Sequence, residues 1–183
     1  MPVVTILEER IEIPEDVSVE KRKYELIVSG ENGEVKKKFA HPGIQIEVEE
    51  DEVVLTVDEP SKKEKALAGT YRSHIENMIE GAQEDFVYKL KIIYSHFPME
   101  VTSEGDEVVI KNFVGENKPR RAKVLGSTEA KIEGDQVIVS GPDKEAVAQT
   151  AANIESMTKI SKVDPRVFQD GIYITEKAGK PVR

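Results

Sequence analysis

Three histidines, one run of carboxylates and two clusters of cations are the residues of this 183-residue chain with the means to do chemistry. His41, His74 and His96 stand far apart. None belongs to a His-x-x-x-His or Glu-x-x-His pair, which would put two ligands, or an acid beside its base, on one helix face. His74 lies beside an apolar helical stripe and reads as a packed residue at the edge of a core. Cysteine is absent, which removes thiol nucleophiles, disulfides and cysteine-bound metal at once. No Gly-x-Gly-x-x-Gly, P-loop or Gly-x-Ser-x-Gly pattern offers a phosphate cradle or a nucleophile elbow. Glu49-Glu50-Asp51-Glu52 gathers many oxygens without the spacing or the glycine of a calcium loop, and reads as a solvated hairpin tip. These residues predict a protein that is not an enzyme and uses no metal, cofactor or small-molecule substrate.

The cations say more. The chain carries a net charge of −9, which argues against a polyanion partner until its distribution is read. Residues 1–60 hold 7 basic and 16 acidic residues, whereas residues 111–183 hold 13 basic and 10 acidic. Charge asymmetry between halves is a mark of nucleic-acid contact. Within the basic half, Lys118, Arg120, Arg121 and Lys123 sit on a loop stiffened by Pro119, and arginine can bridge two phosphate oxygens at once. The tail adds Lys159, Lys162, Arg166, Lys177, Lys180 and Arg183 against only Asp164, Asp170 and Glu176. Few aromatics accompany either cluster, so backbone and shape recognition of folded RNA is expected rather than base stacking. Gly30-Glu31-Asn32-Gly33 has the letters of the Gly-x-x-Gly loop of KH domains, but it joins two strands and carries a glutamate, so it reads as a hairpin turn.

The elements that must position these residues form a repeat. Alternation around Arg10–Val19, broken at Pro14, then Tyr24–Val28, Val35–Phe39, Ile44–Val48 and Val53–Val57 predicts short strands. Ser61 and Glu64 have capping-box spacing, and Leu67, Tyr71, Ile75, Met78 and Ile79 make one apolar stripe of a helix that stops at Gly81. Phe86 to Tyr94 alternates strictly. The second half then repeats the order: strand Glu107–Lys111, basic return arm Arg120–Lys123, hairpin 130–139, and a helix through Val147, Ala151, Ile154 and Met157. This predicts an α+β protein made by tandem duplication of a small unit, an antiparallel sheet packed on one helix per repeat. The expected domains are 1–81 and 82–183, with the strand at 86–94 able to close the first repeat as Gly171–Thr175 closes the second. On that last strand Ile172 and Ile174 should face a core and Tyr173 should point away.

Four separated stretches carry a resemblance: Tyr88-Lys89-Leu90-Lys91-Ile92-Ile93-Tyr94-Ser95-His96-Phe97-Pro98, Lys118-Pro119-Arg120-Arg121, Gln149-Thr150-Ala151-Ala152-Asn153-Ile154-Glu155, and Phe168-Gln169-Asp170-Gly171-Ile172-Tyr173-Ile174. In this order they closely resemble the large-subunit ribosomal protein L6 family, in its archaeal and eukaryotic branch. The likeness spans nearly the whole chain, which lacks the Lys/Gly-rich end of the bacterial branch. It implies two tandem α+β repeats, a cytoplasmic ribosomal location, and contact of the second repeat and tail with large-subunit rRNA near the sarcin–ricin loop. Neighbouring ribosomal proteins and the translation GTPases that dock nearby are the implied partners.

The expected RNA contacts are Lys118, Arg120, Arg121, Lys123, Lys159, Lys162, Arg166, Tyr173, Lys177, Lys180 and Arg183. No apolar run long enough to cross a membrane is present and the first residues lack the pattern of a secretory leader, so no membrane partner is expected. Two other readings stand beside this one: a two-domain protein-interaction adaptor that binds no RNA, and a hydrolase built on paired carboxylates.

Overall fold

The computed structural model describes residues 6–95, 97–160, 164 and 166–182. The chain divides into two compact units, Met1–Asp85 and Phe86–Arg183. Each has its own apolar core, one gathered on Leu26, Leu55 and Ile75, the other on Leu90, Ile110, Ile154 and Ile172.

In the first unit β1 (Ile6–Glu12), β6 (Glu52–Asp58) and β5 (Gln45–Val48) form one antiparallel sheet in the order β1-β6-β5. A second sheet takes β2 (Ser18–Arg22), β3 (Glu25–Gly30) and β4 (Gly33–Lys38) in the order β2-β3-β4. Helix α1 (Lys62–Gln83) covers them with Ala68, Ile75, Met78, Ile79 and Ala82, the residues its 3.6-residue period puts on one side. Its start is the expected capping box: Ser61 Oγ accepts from the Glu64 N–H at 3.3 Å, and Glu64 Oε2 accepts from the Ser61 N–H at 2.9 Å. The helix does not stop at Gly81; it runs two residues further.

The second unit repeats this plan with β8 (Glu100–Glu104), β9 (Glu107–Lys111) and β10 (Arg120–Lys123) in the order β10-β9-β8, and helix α2 (Lys144–Met157) capped by the Asp143 carboxylate. Its larger sheet has five strands: β11 (Glu129–Glu133), β12 (Gln136–Gly141), β7 (Phe86–Ile93), β13 (Gly171–Lys177) and β14 (Lys180–Pro181), in that order. Strand β8 escaped the sequence reading because Glu-Val-Thr-Ser-Glu is short, polar and half-exposed.

The place of β7 corrects an expectation. Phe86–Ile93 does not close the first repeat; it pairs with β12 and β13. Leu90 stands opposite Val137 as Ile11 stands opposite Val53, so β7 opens the second repeat and is the counterpart of β1. Alternation shows that a segment is a strand with one buried face, but not which sheet that face completes. Strand β13 has no counterpart among the described residues of the first unit. Ile172 on it is fully buried, Ile174 half-buried and Tyr173 exposed, as the alternation predicts.

Both units stop their helix with the same hairpin by different chemistry. Neither helix has a basic residue in its last turn, so the terminal carbonyls need other donors. In the first unit the turn between β3 and β4 supplies Asn32: its N–H donates to the Ala82 carbonyl and its Nδ2 to the Gly81 carbonyl, each at 3.0 Å. In the second the arm entering β10 supplies Arg120, which donates to the Met157 carbonyl at 2.6 Å.

Candidate nucleic-acid interface

The β9–β10 connection is bent before its cations are reached. Asn112 and Val114 both hold left-handed backbone, at φ 57° and 49°, around a single 3-10 turn, Phe113–Gly115. Left-handed backbone is tolerated by asparagine but costly for a β-branched residue, so burial of Phe113 and the Asn112 Nδ2 bond to the Pro98 carbonyl hold Val114 there. The bend presents Glu116 to Arg120 four residues on.

Arg120 sits at the centre of the expected contact set and is turned inward. Nε and Nη2 grip both oxygens of Glu116 at 2.9 and 2.7 Å, the guanidinium lies 4.3 Å from the centre of the Phe113 ring, and Nη1 reaches Met157 O and, at 3.4 Å, Lys159 O. Nearly all of its N–H groups are therefore taken, and the phosphate-facing role expected of it gives way to a structural one. Arg120 pins the turn that carries Lys118, and the start of the strand that carries Arg121 and Lys123, to the end of α2 beside Lys159.

Arg121 alternates to the solvent side of β10. It donates to Glu107 at 2.8 Å with Glu104 at 3.7 Å, and the hydrogen bond to Glu107, ahead of its charge, raises the guanidinium pKa above its ordinary value. Lys118, Lys123 and Lys159 are exposed, and among the described residues their ammonium groups make no ion pair. Asn153 fixes the strand end by donating to the Lys123 carbonyl at 3.1 Å.

The start of β13 is locked to the same end of α2. Thr158 Oγ1 accepts from the Ile172 N–H at 2.9 Å, Glu155 accepts from the Ile174 N–H at 3.0 Å, and buried Asp170 accepts from Ser95 Oγ at 2.8 Å. Nothing in the sequence marks Thr158, Glu155 and Asp170 for these roles, because a polar residue that satisfies an internal partner looks the same in a sequence as one that faces water. Arg166 lies in a turn held by the Asp164 carboxylate, which accepts from its N–H. Tyr173 leans back over Gly171 and donates its hydroxyl to the Gln169 carbonyl at 3.1 Å. It faces solvent directly opposite Lys91, so Lys91 and Lys89 join the exposed face although they were not among the expected contacts. Lys89 is held by Glu176 at 3.1 Å.

Lys177 and Lys180 lie at the far end of β13, on a turn through Ala178 and Gly179 with φ of 46° and 74°, the conformation of a tight hairpin. Six residue steps separate Gly171 from Lys177, about 20 Å in a strand. The structure therefore brings together Lys118, Arg121, Lys123 and Lys159 and sets Lys177 and Lys180 apart as a second group. Lys162 and Arg183 lie outside the described residues.

Among the described residues no group of histidines and carboxylates could hold a metal ion, and no helix is long and apolar enough to cross a membrane. A hollow of about 320 Å³ in the first unit has Glu25 and Glu47 on its wall. Its Lys21 donates to the Ile46 carbonyl.

Comparison with known proteins agrees with the duplicated architecture. The family described as Ribosomal protein L6 matches residues 13–85 and 97–171. The chain is 53% identical over 180 residues, 98% of this chain and 99% of the relative, to the large ribosomal subunit protein uL6 of Methanococcus vannielii. It is 52% identical to the protein of that name from Methanosarcina mazei over 92% of this chain and 96% of the relative. The Haloarcula marismortui protein is 49% identical over 93% and 96%. Matches of this extent, covering both units, place the chain in the ribosomal protein L6 family.

Proposed function

We propose that this chain is a structural constituent of the large ribosomal subunit whose second unit holds large-subunit rRNA. The relatives that match end to end are named as large-subunit proteins. The observation that carries the RNA reading is the assembly of Lys118, Arg121, Lys123 and Lys159 around the Arg120 clamp, with no ion-pair partner for the three lysines among the described residues. Lysines held at fixed points of a scaffold neutralise phosphates and release counterions, and carry no base specificity. Lys177 and Lys180 form a second contact on the β13–β14 hairpin, so the RNA spans both ends of one strand. The target is the region around the sarcin–ricin loop, and translation GTPases are the passing neighbours.

The test is filter binding of the full chain to a large-subunit rRNA fragment containing that loop, across a salt series. Binding should beat that to an unrelated duplex of equal length, and log affinity should fall linearly with log salt. Equal binding to both RNAs would overturn the site, and no RNA binding at low salt would favour the adaptor reading.

A further inference from the structure

Among the described residues β1 is the longest strand at a sheet edge, seven residues in unbroken antiparallel register with β6, from Ile6 opposite Asp58 to Glu12 opposite Glu52. Neither proline nor bulge blunts it, although proteins commonly guard such edges that way. The six-residue edge β4 carries Lys36, Lys37 and Lys38, and β10 carries Arg120, Arg121 and Lys123. β1 carries Glu8, Glu9 and Glu12 against Arg10. Its counterpart β7 has β12 on one side and β13 on the other. The repeat thus displays, within one chain, what this edge is shaped to receive.

The charges name the occupant. Glu12 stands directly opposite Glu52, a like-charge pair across the ladder, where the second unit has Lys91 opposite Gln136. Arg10 binds Glu8 at 2.7 Å and Glu52 at 3.2 Å, and Glu12 has no ion-pair partner among the described residues. Inward-facing Glu9 is satisfied by Arg72 of α1 at 2.7 Å, so the buried side of the edge carries no stray charge. A second copy of β1 laid antiparallel in full overlap would set Glu12 against Ile6 and Glu9 against Glu9, leaving the Glu12–Glu52 pair without a cation. A cation beside Glu12 relieves the pair instead, and the edge hydrogen bonds favour extended peptide over RNA.

We propose that the open edge of β1 receives an extended, lysine- or arginine-bearing segment of a neighbouring protein as an added antiparallel strand. The assembled context rests on the ribosomal reading, but the edge is testable without it. In the free full-length chain, a synthetic heptapeptide of alternating lysine and valine should shift amide resonances of residues 7–12. It should bind at least ~10-fold more tightly than the glutamate–valine peptide, as complementary charge requires. Glu8→Lys with Glu12→Lys should reverse that order. Equal binding of the two peptides, or no shifts in β1, would overturn the proposal.

In assembled subunits, a photo-crosslinking residue at Ile6, which is 55% exposed, should join to a basic extended protein segment. Links to rRNA or to another copy of this chain would overturn the proposal. Absence of the chain from the subunit fraction would count against the ribosomal reading alone, because the peptide experiment decides the edge separately.

Discussion

Arg120 donates to the carbonyl of Met157 at 2.6 Å, and in doing so one side chain stops helix α2 and sets the position of the basic loop. The residue after it points the other way, into solvent beside Glu107. Arg120→Ala should therefore cost about 2 kcal/mol of stability in the second unit, the scale of charge-assisted hydrogen bonds lost with a part-buried partner left behind. Arg121→Ala should leave the melting temperature within about 1 °C, as for an exposed pair. Calorimetry of both variants separates them, and RNA affinity should fall for both. Equal melting temperatures would return Arg120 to the list of phosphate contacts.

Lys177 and Lys180 pair with each other across the β13–β14 turn, and neither is needed to hold the sheet. Lys177→Gln with Lys180→Gln should weaken rRNA binding and lower the salt slope by roughly 1 to 2, since each phosphate contact adds about 0.7 to 0.9. The circular dichroism spectrum should not change. An unaltered slope would show that the hairpin lies off the RNA, leaving the Arg120-centred group as the whole interface.

These two groups mark what the sequence could and could not disclose. The outward placing of the lysines was legible, because a long cationic side chain on a turn or hairpin is rarely buried. Arg120 was not, since its partners Glu116, Phe113 and Met157 are brought to it by the left-handed bend at Asn112 and Val114, which no composition or period records. The duplicated α+β plan was legible because both copies keep their apolar spacing, whereas the role of β7 was misread. Strict alternation in Phe86–Ile93 is equally good evidence for a closing strand and for an opening one, and only its pairing with β12 decides.

The Asn32 turn of the first unit invites the corresponding test. A Cβ on Gly30 would stand 2.4 Å from the Ala82 carbonyl oxygen, a backbone atom that cannot swing aside. Gly30→Ala should push the β3–β4 hairpin off the end of α1 and free the bonds from Asn32 to Gly81 and Ala82. The expected loss is about 2 to 3 kcal/mol, that of an overpacked core site. Gly33→Ala meets no atom within 4 Å and serves as control, strained only by its φ of 137°. Denaturant unfolding should find the first variant the weaker, with rRNA binding by the second unit retained.

Tyr88 gives the second unit a sensitivity to alkali. Its ring is buried in the core, and desolvation raises the phenol above its ordinary value of 10.0. The neutral form is favoured in the folded state, so its stabilising effect is complete below the unfolded pKa of about 10 and is lost as pH rises through the higher folded value. Tyr88→Phe should abolish a late phase in the 295 nm absorbance titration and move alkaline unfolding upward. If the titration kept all its phases, the buried phenol would not be the sensitive group.

Glu107 makes the most counterintuitive case. It holds Arg121 at 2.8 Å, so its carboxylate masks one of the cations proposed to meet phosphate, while Lys123, opposite it in the β9–β10 register, makes no ion pair with it. Glu107→Gln keeps a hydrogen-bonding oxygen in place while removing the charge. The folded state should lose less than about 1 kcal/mol, because surface ion pairs are worth little. RNA affinity should rise about two- to five-fold at low salt, and the salt slope should steepen as Arg121 turns from its internal partner to a phosphate. The gain should disappear in the Arg121→Ala background, because the released charge is then gone. A variant that bound RNA less well would mean that Glu107 positions Arg121 for its contact rather than competing for it, and the pair would have to be read as one preorganised group.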